Sequence, residues 1–387
     1  MIALTRSGNR SLICWLLLTL SASLALAADF SQRVYVGTYT DKDSKGIYSF
    51  RFDPTTGESG PVELAAESAN PSFLVVDASP KRLYAVNELD VFDGSMTGAI
   101  SVFAVDAESG KLKLLQQISS AGAAPAHLSL DKSGRYVLVA NYDGGNIAVF
   151  PIQQDGQLGK RTAFIQDTGS SVNKERQATP HAHEIVASGD DHLVFVPDLG
   201  TDELMIYRFD PANGSLTPNK PAFAKVTPGS GPRHFAFAPS GKFLYLVNEL
   251  TSTVVVFSLD SSSGHLRQEQ TISTLPQGFQ GQNTTAEIQV DSAGKFLYVS
   301  NRGDDSIAVF AINEHDGKLS LVERVPTGGK EPRHFTLDWT GKWLFAANQN
   351  SDTINLFAVD SATGRLTATS HTIHVPTPVC VVMVPLK

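Results

Sequence analysis

Four short segments of the chain carry residue types that bind anions and move protons. They are PHAHEI at 180–185, GPRH at 231–234 with Asn248-Glu249 following, NRG at 301–303 and EPRH at 331–334. Histidine titrates near neutral pH, and arginine offers a permanently charged planar fork to carboxylate or phosphate. Such a set suits a small anion, or the addition of water to a carbonyl whose oxygen gains charge beside a cation. His181-Ala182-His183 resembles half of a zinc site, since i and i+2 on a strand face one way. No further Cys, His or carboxylate at ligand spacing completes it, and Glu184 is expected on the opposite face. No phosphate-cradling glycine loop, nucleophile elbow or Cys–His pair occurs. No metal and no cofactor is therefore called for.

These segments are far apart in the chain, so their meeting depends on a repeat. GPRHFAFAPSGKFLYLVN at 231–248 reads as a strand, a turn at Pro239-Ser240-Gly241, and a second strand ending on a polar residue. Variants end at Asn87, Asn141, Asp198, Asn301 and Asn348, so that successive ends stand 54, 57, 50, 53 and 47 positions apart. An apolar run and a D-x-x-x-G-x-L turn follow most of them. Four short strands per unit of this length, with no 3.6-residue apolar period, indicate propeller blades. RVYVGTYT at 33–40 matches a second strand that lacks its first, and PVCVVMVP at 378–385 matches a first strand with nothing after it. The expected fold is all-β: a seven-bladed propeller of four-stranded antiparallel blades, closed by pairing the N-terminal and C-terminal strands.

The chain has 387 residues, 42% hydrophobic, with 18% charged and a net charge of −8. Arg6 and Arg10 precede an apolar run at 12–20 and then Ala25-Leu26-Ala27-Ala28, the pattern of a secretory leader over 1–27. The expected domains are that leader and one propeller over 28–387, exported and periplasmic, with no membrane contact after cleavage. Only Cys380 then remains, so stability must come from blade packing rather than a disulfide. An acidic chain without a basic surface argues against nucleic acid. A closed ring has no free sheet edge to pair, which makes a monomer the expectation.

In an antiparallel blade the start of the first strand and the end of the second share one edge, and seven such edges ring one mouth of the channel. The first-strand ring is Ser72, Ala126, His183, Arg233, Ala286, Arg333 and Val379; the ring beyond the second strand is Tyr39, Glu88, Tyr142, Leu199, Glu249, Arg302 and Gln349. Scaffold positions should look alike in every blade, and these differ. One side carries His183, Arg233, Glu249, Arg302 and Arg333, with His181 adjacent. His234 and His334, being next to arginines on a strand, are expected to point elsewhere. The repeated asparagines are expected to cap strand ends through their own local backbone. Two polar connectors, 167–180 and 274–285, break the rhythm and are candidates for shaping a site.

PHAHEI, GPRHFAFAPSGKFLYLVNEL and EPRHFTLDWTGKWLFAANQNSDTINLF together resemble the seven-bladed β-propeller lactonases, a family that includes bacterial 6-phosphogluconolactonases and a fungal carboxymuconate-cyclising enzyme. The resemblance spans nearly the whole mature chain. It implies a lactonase that opens a sugar lactone to the aldonic acid, either 6-phosphogluconolactone or, for an exported chain, unphosphorylated gluconolactone. It implies His183, Glu249, Arg233 and Arg302 as catalytic groups, with Arg333 binding an anion; His181 stands as an alternative to His183. Glu88, Tyr142 and Gln349, from the ring, complete the substrate-binding set. On this reading His183 is the base, oriented by Glu249, and Arg233 or Arg302 stabilises the oxyanion. Glu249 as base, cyclisation of a muconate-type diacid, and a non-catalytic binding module are the alternatives.

Overall fold

Seven four-stranded antiparallel sheets make up the described part of the chain in the computed structural model, which describes residues 1–3, 30–79 and 81–386. The leader expected over 1–27 lies, beyond its first three residues, outside them. No helix among the described residues is long and apolar enough to cross a membrane.

Blade 1 takes its inner strand from Pro378–Pro385 and its other three from Gln32–Thr38, Gly46–Phe52 and Glu63–Glu67. Blades 2 to 7 follow in chain order. Their first strands are Leu74–Val76, Pro125–Leu130, Val186–Ala187, Pro232–Phe237, Thr284–Val290 and Pro332–Leu337. The N- and C-terminal strands pair from Gln32↔Pro385 to Thr38↔Pro378, so the ring closes as the repeat predicts.

The second strand of each blade is buried on both faces over nearly its whole length, which is why it reads as an unbroken apolar run such as Leu244–Val247. Seven apolar clusters result, one between each pair of neighbouring blades. Tyr245, Val247 and Val256 of blade 5 pack on Leu297, Val299 and Phe310 of blade 6, for example. The seam between blades 7 and 1 is built in the same way, from Phe345, Ile354 and Leu356 against Val34, Phe50 and Val381. Burying one such side chain is worth about 1.5–3 kcal/mol. The ring is therefore held by packing, and Cys380, its described cysteine, is buried and unpaired.

The turns are local chemistry. At Gly241, φ is +68°, and an added Cβ would meet nothing; the glycine is required by the backbone alone. Asp260 accepts N–H bonds from Ser262 and Ser263, while Gly264 donates its N–H to the Asp260 carbonyl at 2.8 Å. The strand-end asparagines behave differently from expectation. Asn141, Asn248, Asn301 and Asn348 each reach across to the first residue of the third strand: Asn146, Thr253, Ser306 and Thr353. They tie strands together, while Asn348 also donates to its own local backbone at the Ala346 carbonyl, 3.3 Å away.

One irregularity recurs at the channel mouth. In blade 5 the register slips between Pro232 and His234, and the same slip occurs at Pro125/His127 and Pro332/His334. Blade 6 slips between Thr285 and Ile288. In blade 4 the bridge Ala182↔Asp198 and the pair Val186↔Phe195 differ by one residue. The extra residue in each first strand is a bulge, which breaks the alternation of faces.

Candidate active site

The bulges decide which side chains enter the channel. Arg233 and His234 are neighbours in sequence, yet both are buried there, as are His183 and Glu184. Alternation sends His234, His334 and Glu184 away from the arginines, and none of them lines the upper cavity; the bulge keeps them in the channel below it rather than in the blade interior. Two tiers result. The upper tier opens on a cavity of about 320 Å³ lined by Tyr39, Glu88, Tyr142, Arg176, His183, Glu249, Arg302 and Arg333, with Ala126 and Thr284. The lower tier contains His127, His234, His334, Glu184, Glu287 and Phe73.

Glu249 is the electrostatic centre of the upper tier. Its backbone N–H is held by the Gly231 carbonyl at 2.7 Å, which fixes the carboxylate at the end of its strand. Arg176, Arg233 and Arg302 converge on it at 2.7, 3.1 and 2.9 Å. The Arg176 contact is an aligned hydrogen bond, whereas Arg233 Nε faces the carboxylate without hydrogen-bond alignment. Burial would raise the Glu249 carboxyl, but Arg302, Arg233 and Arg176 outweigh it and hold it at about 2. It is a carboxylate at any working pH and a weak base. Arg233 also donates to the Ala286 carbonyl at 2.6 Å, and Arg302 to that of Thr285 at 3.0 Å. Burial and the charges of Arg302 and Arg333 lower Arg233 to about 9, so it stays cationic near neutrality.

Arg333 differs from the other three. It lies 5.2 Å over the Tyr39 ring and makes no ion pair with a carboxylate among the described residues. Burial opposes its charge, but Tyr39 and Glu88 raise its pKa on balance. Glu88 itself accepts the Tyr39 hydroxyl at 2.9 Å on both oxygens.

His183 is 5% exposed, and its Nδ1 is sealed without a hydrogen-bond partner among the described residues, so its other ring edge meets the cavity. Burial, then the charges of Arg233, His234 and Arg333, push it well below the usual histidine value, so it is neutral at pH 7. The expected orientation by Glu249 is not found. No hydrogen bond joins the two among the described residues, and the carboxylate is occupied by arginines. His181 lies outside the cavity: its Nδ1 is 3.0 Å from the Tyr142 carbonyl and its ring stacks on Tyr142 at 4.4 Å. Gln349 falls in a short 3₁₀ turn, Gln349–Ser351, away from the cavity wall. Leu199 is packed in the interior.

Arg176 is the group that strand geometry could not find. It comes from the 167–180 connector, where Asn173 accepts the N–H groups of Glu175 and Arg176, and Gln177 donates to the Leu199 carbonyl at 2.8 Å. Thus fixed, Arg176 also reaches the Tyr142 hydroxyl at 3.2 Å. The signal available was an arginine in a polar insertion leading into HAHE. The other connector borders a separate, larger cleft of about 810 Å³ that includes Phe279, Leu321 and Arg324 but no histidine or carboxylate. Size does not mark the reactive site here. Among the described residues, no group of three or more His, Cys, Asp or Glu is arranged to hold a metal ion.

A family model described as "Lactonase, 7-bladed beta-propeller" matches residues 33–383. The chain is 38% identical over 347 residues to the 6-phosphogluconolactonase of Bacillus subtilis, covering 90% of this chain and 97% of the relative. Among solved structures, a putative 6-phosphogluconolactonase from Bacteroides fragilis is 40% identical with a TM-score of 0.85, covering 92% of this chain and 98% of the other. The periplasmic gluconolactonase of Pseudomonas aeruginosa is 36% identical with a TM-score of 0.86, covering 92% and 99%.

Proposed function

The chain belongs to the seven-bladed β-propeller lactonase family, and from that premise we propose that it hydrolyses a sugar lactone to the aldonic acid in the cavity around His183 and Glu249. The observation that carries this is a neutral His183 whose free ring edge opens on a cavity walled by Arg302 and Arg333. Water attacks the lactone carbonyl carbon and gives its proton to His183 Nε2. The carbonyl oxygen becomes an oxyanion beside the arginines, whose charges are already in place and need no reorganisation. Collapse breaks the bond to the ring oxygen, which takes the proton back from His183. Glu249 serves by holding Arg176, Arg233 and Arg302 against their mutual repulsion; its low pKa makes it unsuited to take a proton.

The substrate is drawn from two observations. Arg333, without an ion-paired carboxylate, suits an anionic group such as a phosphate. The leader-like N-terminus and the periplasmic gluconolactonase among the similar structures favour an unphosphorylated ring met outside the inner membrane. We take gluconolactone as the substrate and the exported compartment as the site of action. Titration of acid release by the leaderless protein, with gluconolactone and its 6-phosphate and the uncatalysed rate subtracted, tests this. His183→Gln should lower turnover about 100-fold or more. Acid release with neither lactone, or consumption of a muconate diene instead, would end the reading.

A further inference from the structure

The lower tier holds titratable groups that the hydrolysis so far leaves unused. His234, 3% exposed, has Nδ1 at 3.0 Å from Glu287 Oε2, while its Nε2 is sealed without a partner. Its ring lies 5.0 Å from that of His183, inclined at 76°, and His183 Nδ1 is likewise sealed without a partner. Two buried ring nitrogens on adjacent imidazoles, both unsatisfied, are costly apart. The ring separation allows them to meet by a modest rotation or to share one bridging water.

We propose that Glu287 and His234 are positioning residues that set the tautomer of His183 through a carboxylate–imidazole–imidazole chain, an inference that rests on His183 being the base. The ionised Glu287 accepts Nδ1–H from His234. His234 Nε2 is then an acceptor and takes Nδ1–H from His183. His183 is left with its lone pair on Nε2, facing the cavity, as removal of a proton from water requires. A proton on Glu287 would reverse each link and turn the His183 edge into a donor, useless as a base.

The surroundings favour the productive state. Glu184 lies across the channel, with its Oε2 accepting the Phe235 N–H at 2.7 Å and its Oε1 3.8 Å from His127 Nε2. Burial and then the charge of Glu287 raise Glu184 well above the usual carboxyl value. Glu287 is also raised by burial, but His334 and Arg233 oppose this. Of the two carboxyls, Glu184 therefore takes the proton first. The groups facing His234 are Arg233, Arg333, Glu249, His127, His183 and His334 besides Glu287; those facing Glu287 are Glu184, Arg233, His234, His334 and Cys380.

The test is the ¹⁵N spectrum of ring-labelled histidine in the full protein, with His183 assigned through His183→Gln, beside steady-state kinetics. His183 in the unaltered protein should be protonated on Nδ1. Glu287→Gln should shift it toward the other tautomer and lower kcat roughly 10- to 100-fold, with KM within about twofold. His234→Gln, checked for an unchanged melting temperature, should do the same. If Glu287→Gln does not fold, His234→Gln decides. An unchanged His183 tautomer and kcat in the folded variants, with His183→Gln inactive, overturns the chain but leaves the hydrolytic reading standing. Full turnover by His183→Gln sinks the assignment of His183 as the base instead, and with it the chain.

Discussion

Replacing Glu249 with Gln removes one negative charge, at nearly constant volume, from the point where Arg176, Arg233 and Arg302 converge at 2.7, 3.1 and 2.9 Å. Arg233 and Arg302, at 3% and 10% side-chain exposure, cannot turn to water and are left with uncompensated charge. Stripping one partner from a buried pair costs about 3–5 kcal/mol. Titration gives an independent figure: a carboxyl held at about 2 rather than 4.5 contributes about 3 kcal/mol at 1.36 kcal/mol per unit. Because the folded value is depressed, this stability is present above about pH 4.5 and is lost as the pH falls toward 2. At ~2.1 cal/mol/K per residue over some 350 residues, the unfolding entropy is about 0.75 kcal/mol/K, so Glu249→Gln should lower the melting temperature by about 4–7 °C at pH 7. Scanning calorimetry at pH 7 and pH 3 should show the gap between the two proteins narrowing in acid. Turnover should fall as well, because Arg302 loses the group that aims it. A variant that melts within about 1 °C of the parent at pH 7 and keeps full turnover would refute the assignment of Glu249 as the anchor of the arginines.

Arg333→Ala should raise KM for the 6-phosphate at least about tenfold while kcat changes less than about threefold, since the contact is the same in ground and transition states; an equal fall in kcat would place Arg333 at the reacting carbonyl instead. Arg176→Ala removes a half-exposed contact, so its melting temperature should drop by less than half that of Glu249→Gln, with KM rising in a substrate titration. Because burial and neighbouring cations hold His183 below 6.5, kcat/KM measured against pH should stay flat through 6.5 and fall only in more acid solution. A fall centred at or above 6.5 that persists in His234→Gln would show a different base, whereas one abolished by that change would report the proton on Glu287.

The architecture was readable because each blade repeats the same physical solution: an apolar run buried on both faces, a turn needing a glycine, and a polar residue at the strand end. That regularity placed Arg233, Glu249, Arg302 and His183 at one mouth although they span some 120 residues of chain. Alternation falls short where the bulges lie. An extra residue in a first strand leaves no compositional mark, so alternation keeps His234, His334 and Glu184 out of the upper cavity but does not show that they gather in the channel beneath it. Arg176 escaped for another reason: it sits in an insertion present in one blade, where no repeat fixes its place. Gln349 shows the converse, a ring position that its 3₁₀ turn carries away from the cavity. Roles within the cluster depend on who pairs with whom, and pairing distances are not a property of spacing.

The seam between Gln32–Thr38 and Pro378–Pro385 has a consequence for biogenesis. The strand that completes the first sheet follows all the other blades in the chain, so the blades before it stand as an arc with one raw flank until it is made. Moving that octapeptide to the front of the chain would complete the first sheet from one end alone and remove the hydrogen-bonded clasp between the two ends.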